Sequence, residues 1–262
     1  MSTFAMHVAK TGLNSQQIKM QVIANNLANV NTTGFKADRA NFESLLYQIL
    51  RGAGDNTSEN TSLTSGLSVG TGTRLLNTSK LHTQGSLIST GNSLDISIEG
   101  DGFFQVLLPD GRVGYTRSGA FSRNAEGTVT TASGYALQPE ITVPAEAVSI
   151  NISSDGIVSV QVPGAVEAEE VGQITLADFP NRQGLQPNGE SMLLETAASG
   201  APIIAAPFEE GMGRTVQGSL ESSNVNVVQE LVDMIETQRA YEVSSKTITS
   251  VDEMMRYLAQ NV

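Results

Sequence analysis

Two histidines, His7 and His82, are all the imidazole the chain offers, and cysteine is absent. The missing thiols remove disulfides, thiolate metal sites and cysteine nucleophiles together. A Ser–His–Asp hydrolase would have to recruit one of the two histidines, and His7 falls inside a heptad-patterned stretch. Gly66, Gly70 and Gly72 suggest a phosphate loop, but the lysine and following Ser/Thr that grip phosphate and magnesium are missing. Among 27 acids no pair stands in the context of a glycosidase dyad. Asp101, Asp110 and Asp155 each precede a glycine and read as turn residues. A calcium loop needs spaced acids ending in glutamate, and no stretch provides it. The expectation is a protein with no catalytic residues, no metal and no cofactor.

Chemistry having failed, the elements carry the reading. From Met6 the apolar residues fall at seven-residue steps: Met6, Leu13, Met20, Leu27. A second row runs Ala9, Gln16, Ile23, Val30. Together they make a heptad over almost four repeats, which predicts a helix that needs a partner helix. It should stop within Asn29–Gly34, since asparagine and glycine accept the left-handed conformation that ends helices, with Phe35 folding back on the last turn. The partner lies at the far end. Val227, Met234, Tyr241, Ile248, Met255 and Val262 step by seven without a break, beside Val228, Leu231, Ile235, Val251 and Leu258. Ser222, Ser223 and Asn224 are its N-cap candidates. At 1.5 Å per residue such a helix reaches roughly 50 Å, so it must project or pair.

Between the ends the pattern changes twice. Phe42, Leu45, Leu46 and Ile49 have helical spacing, but the run is short and an extended reading stays open. From Arg51 to Thr73 there is almost nothing to bury, which predicts a polar insertion, either functional or a linker. From Leu75 to about Ser219 short alternating runs are broken by turn residues. Pro109-Asp110-Gly111 predicts a hairpin joining 103–108 to 113–121, and Asn124–Gly127 and Asp155-Gly156 predict two more. Val171 to Phe179 and Met192 to Glu195 read as later strands. The result is an α+β chain: paired terminal helices and a central antiparallel β domain, sandwich-like or a partial barrel.

Charge narrows the partners. The chain carries -12 overall, which argues against nucleic acid. Residues 1–51 hold five basic and two acidic side chains, whereas 225–262 hold three basic and six acidic. Opposite signs at the two ends suit their pairing, within one copy or between copies. No apolar run approaches the roughly 18 residues of a membrane span, and no cleavable signal peptide is recognised at the start.

Four stretches resemble one family. Ala24-Asn25-Asn26-Leu27-Ala28-Asn29-Val30-Asn31-Thr32-Thr33-Gly34-Phe35-Lys36 is similar to the N-terminal signature of bacterial flagellar rod and hook proteins. Ser223–Val227 with Met234–Glu242 resembles their C-terminal signature, and Gly100–Val106 and Tyr115–Phe121 match their central domain. The resemblance runs the whole length, and the length and polar insertion fit the distal-rod branch. It marks Asn25, Asn26, Asn29, Gly34, Phe35, Lys36, Asn224, Gln238 and Arg239 as signature positions. The self-association positions are Met6, Leu13, Met20, Ile23, Leu27, Val30, Val227, Leu231, Met234, Tyr241, Ile248 and Met255. The resemblance implies a structural subunit of a hollow, stiff helical tube, a drive shaft and part of an export channel. Residues 1–35 and 222–262 would form the inner wall, 36–75 a connecting segment and 76–221 an outer β domain. Implied partners are other copies, proximal rod and hook proteins, the basal-body rings and the flagellar export apparatus, across the periplasm. The alternatives are another axial protein of that family, or a secreted adhesion module whose β domain grips a ligand above a helical stalk.

Overall fold

The computed structural model describes residues 2–54, 56–58, 61–62, 64–163 and 168–260. Val262, the last step of the heptad row, lies outside them, as does part of the polar insertion. The chain divides into two compact units. One holds residues 1–28, 38–79 and 226–262, and the other 29–37 and 80–225.

In the first unit the two terminal helices, α1 (Ser2–Ala28) and α2 (Val227–Gln260), pack together. The α1 helix ends at Ala28, one residue before the predicted window, and turns follow through it. The N-cap of α2 differs from expectation. Asn226 fills it, its Oδ1 accepting from the N–H groups of Val228 at 3.1 Å and Gln229 at 3.3 Å, so two orphan donors are satisfied. The run 36–50 is extended, forming strands Asp38–Ser44 and Tyr47–Arg51. Its helical spacing is overridden because Asp38–Ser44 pairs with Thr73–Lys80, and tertiary pairing outweighs a weak local preference. Tyr47–Arg51 pairs antiparallel with Leu67–Gly70, so the polar insertion is mounted on a hairpin.

In the second unit every strand pairing is antiparallel. Its nine-stranded sheet runs Phe121–Arg123, Val129–Thr131, Ala136–Gln138, Phe103–Leu107, Val113–Thr116, Met192–Leu194, Gln186–Gly189; Leu176–Asp178 pairs with both Phe103-Phe104 and Ile203–Ala205. The predicted hairpins are present, the first with a shorter return strand than 113–121: Val113–Thr116 pairs back, while Phe121–Arg123 is a separate strand paired with Val129–Thr131. Leu107 opposes Val113 across a turn in which Gly111 takes φ +81°, a conformation glycine adopts without a Cβ penalty. Ser149–Ile152, Ile157–Gln161 and Glu169–Gln173 make a three-stranded sheet. The expected strand 171–179 is two, because Glu169–Gln173 and Leu176–Asp178 pair in different sheets. Phe104, Val106, Leu137, Ile141 and Leu176 are buried in the larger core, while Phe103, Tyr115, Phe179 and Leu193 form a second. Successive phenylalanines therefore fill opposite faces of one strand, as a period of two requires. Each such side chain contributes about 1.5–3 kcal/mol of burial.

Candidate assembly elements

On a straight helix a seven-residue row drifts by roughly 20° per heptad, because 3.6 residues complete a turn rather than 3.5. The α2 row does not follow that steady drift, since exposure alternates along it: Val227 and Tyr241 are exposed, Met234, Ile248 and Met255 are half-buried, and Leu231 beside the row is exposed. On α1, Met6, Leu13, Met20 and Leu27 are half-buried and Ile23 is buried; Val30 lies past the helix end, in the turn. The most deeply buried side chains of the helix pair also include Ser15, Asn26 and Thr237, which lie off the heptad rows, and Val251, one of the apolar residues beside the α2 row. Small and polar residues mark the close approach: a Cβ on Gly12 would sit 3.9 Å from Ser244 Oγ.

Asn26 ties this unit together. Its Nδ2 donates to Asp38 O at 2.9 Å and to Glu230 Oε1 at 3.0 Å, and its Oδ1 accepts from Asp38 N–H at 2.8 Å. Burial raises the Glu230 carboxyl above its usual range, while the Asn26 hydrogen bond pulls it back. Asn25 donates to Asp38 Oδ2 at 3.4 Å, and Ser15 Oγ lies 3.0 Å from Thr73 Oγ1.

The opposite face of α2 is open and apolar at six of the nine positions of one stripe. Val228, Val232, Ile235, Val243, Met254 and Tyr257 are 45–71 % exposed. Completed by Arg239, Lys246 and Ser250, they follow steps of four, three and four residues, one stripe of a 3.6-residue helix. Gln238 and Arg239 are exposed too. A second apolar set sits at the hairpin, where Leu46, Tyr47, Ile49, Leu50 and Leu67 are more than half exposed. Gly66-Leu67-Ser68-Val69-Gly70 has the letters of an acyl-transfer nucleophile elbow. It lies in this hairpin, with Ser68 opposite Ile49 in a ladder, so the strained strand-to-helix turn such an elbow needs is absent.

The remaining signature residues belong to the β unit. Asn29 and Thr32 share a turn, Thr32 N–H donating to Asn29 O at 3.1 Å. Phe35 lies under Lys80, whose ammonium is 5.2 Å from the ring centroid. Lys36 is buried and donates to Glu221 Oε1 at 2.5 Å and to Thr83 O at 2.8 Å. Gly34 N–H donates to Glu221 O at 2.8 Å, and Gly85 N–H to Glu221 Oε1 at 2.9 Å. Arg117, also buried, brings Nη1 to 3.7 Å from Glu221 Oε2 and donates from Nη2 to Gly100 O at 2.5 Å. Asn224 accepts from Ala37 N–H at 2.8 Å and donates to Leu81 O at 2.7 Å. Burial pulls Lys36 and Arg117 below their ordinary pKa values, with Glu221 opposing the shift in both. Beside them Arg182 bridges Asp101 and Asp178 at 2.6 Å each. Sequence reasoning marked Lys36 but not Glu221, because one glutamate after an alternating strand has no local signature.

Among the described residues no cluster of histidine and carboxylate side chains could hold a metal. No helix among them is long and apolar enough to cross a membrane.

Three family models match in order. The flagella basal body rod protein model covers residues 6–36, the flagellar hook protein FlgE/F/G D1 domain 97–160, and the flagellar basal body rod FlgEFG C-terminal model 216–261. The flagellar basal-body rod protein FlgG of Buchnera aphidicola (Schizaphis graminum) is 50% identical over 256 residues, 98% of each chain. Those of Borreliella burgdorferi and Agrobacterium fabrum are 46% and 42% identical, over 96% of both chains and over 98% of this chain and 99% of the relative, respectively.

Proposed function

This chain belongs to the FlgG family of flagellar basal-body rod proteins, structural subunits of the distal rod, and from that premise we propose how it polymerises. The observation that carries the proposal is the open stripe on α2, Val228 to Tyr257, on the face away from α1. A helix pair with a second apolar face has surface left to bury, and a neighbouring copy supplies it. Contacts between unlike faces that do not close into a ring build a helical filament.

In this reading residues 1–35 and 222–262 form the inner wall of a hollow tube. Residues 36–75 link neighbouring copies, and 76–221 face outward. The tube is stiff, carries torque as a drive shaft and contains the export channel. The chain does no catalysis. It meets proximal rod and hook proteins at the two ends and basal-body rings around it. It crosses the periplasm after leaving through the flagellar export apparatus without a cleaved signal.

Ile235→Lys tests the proposal, because it places a second cation on the stripe, four residues before Arg239 and with no acidic partner within reach on its own helix face. Sedimentation and electron microscopy of the full chain should show polymer falling by at least about tenfold, the loss expected for a buried unpaired charge. The β unit should keep its unfolding midpoint. Normal polymer from this variant would refute the stripe as an assembly surface.

A further inference from the structure

We infer that Lys36, Glu221 and Arg117 form a register pin: they specify how the segment leaving α1 lies against the segment entering α2, rather than adding stability. The inference rests on the rod reading, since it assigns the pin a role in presenting assembly-competent arms.

Residues 29–37 contain neither helix nor strand, so no backbone ladder sets their register. The contacts that hold them include polar ones to Glu221, Asn224, Leu81, Thr83 and Ser118. Glu221 is the hub: its backbone oxygen takes the Gly34 N–H, and its Oε1 takes both Lys36 and the Gly85 N–H. A slip of one residue would bury the Lys36 ammonium away from Glu221 and leave the carboxylate with only the Gly85 N–H and Arg117 at 3.7 Å, a large penalty in a dry site. Glycine fits the same reading. Gly34 has φ +67°, and a Cβ there would overlap the backbone at Arg117 and Ser118; a Cβ on Gly85 would overlap Ser222 O. The backbones meet in one arrangement only.

The knot is poorly built for stability alone. Glu221 Oε2 is buried with no hydrogen bond, and Arg117 stands 3.7 Å away. Buried ion pairs of this kind are commonly matched or exceeded by apolar residues of similar volume. Their attested use is to select one register over near alternatives. Here the register concerns the two places where the chain leaves the β unit for its helices: Lys36 stands eight residues after the last residue of α1, and Glu221 six before the first of α2.

The test is the full-length triple variant Lys36→Met/Arg117→Met/Glu221→Met beside the parent chain. The β unit should unfold at the same or a higher urea concentration. Amide exchange at Gly34 and Gly85 should accelerate by at least about tenfold while Phe104 and Val106 stay protected, because only the junction has lost its unique arrangement. Polymer yield should drop by at least about tenfold at unchanged β-unit stability. Wild-type polymer, unchanged protection at Gly34, or a clearly lower unfolding midpoint would each overturn the inference, the last by showing a stabilising knot. A parent chain that forms no polymer would instead remove the rod premise, and is seen separately in the control.

Discussion

His82 stands edge-on to Phe103, 5.7 Å between centroids, with Nδ1 buried and unpaired in a hydrogen bond. Burial first, then Lys36, pushes its pKa down from 6.5 to about 4, with Arg182 and Lys80 adding charge repulsion. The direction fixes a pH dependence. Above about pH 6.5 neither the folded nor the unfolded chain protonates this ring. Between about 6.5 and 4 the unfolded chain takes the proton and the folded one does not, so stability falls as the pH drops. The limiting slope for one proton is about 1.4 kcal/mol per pH unit. Urea unfolding of His82→Phe at pH 7, 5.5 and 4.5 should show a shallower decline than the parent; parallel curves would contradict the assignment. Glu221 gives a second prediction at this scale. Lys36→Ala leaves its carboxylate buried with Arg117 at 3.7 Å, and should destabilise the β unit by about 3–5 kcal/mol. Adding Glu221→Leu to that variant should recover part of the loss, which a double-mutant cycle measures.

The start of α2 shows what one element reveals about its own boundaries. Ser222, Ser223 and Asn224 all have the right chemistry for an N-cap, yet Asn226 caps the helix and Asn224 is spent on Ala37 and Leu81. Asn226→Ala should therefore destabilise the helix pair by ~1 kcal/mol, read as a lower helical melting midpoint, whereas Ser222→Ala should leave it within error. The three candidates missed the actual cap two residues on, because the choice depends on which side chains the β unit consumes. Both helices were legible from their apolar rows, since a pattern of 27 or 34 residues averages out local noise. So were the hairpins at Gly111, Gly127 and Gly156, where turn chemistry is local. The run 36–50 was not, for its partner Thr73–Lys80 is decided by tertiary pairing. Among the site residues Asn26 and Lys36 were marked by resemblance alone. Their partners Glu230 and Glu221 are 204 and 185 residues away, beyond the reach of any spacing argument.

At the scale of the whole molecule the two units differ in how they are closed. The β unit buries two apolar cores, with Phe103, Phe104, Ile98 and Leu176 at 0–1 % exposure. The helical unit has few deeply buried apolar side chains, Ile23 at 4 % and Val251 at 7 %, and leaves Val228 71 % and Tyr257 70 % exposed. A helix pair with one face satisfied opens locally more often than a packed sheet, because each opening exposes little buried area. Brief proteolysis of the monomeric full chain should therefore cut within 1–28 and 226–260 first and leave a resistant fragment near 80–220. In polymer the open stripe is covered, and the same bonds should be cleaved at least about tenfold more slowly, since cleavage tracks the population of the open form. Mass spectrometry of the two digests separates the outcomes. Equal cleavage rates in monomer and polymer would mean that the α2 stripe stays uncovered after assembly, and the rod would have to be held by other surfaces. Terminal helices that resist protease in a verified monomer would contradict the premise that they await a partner.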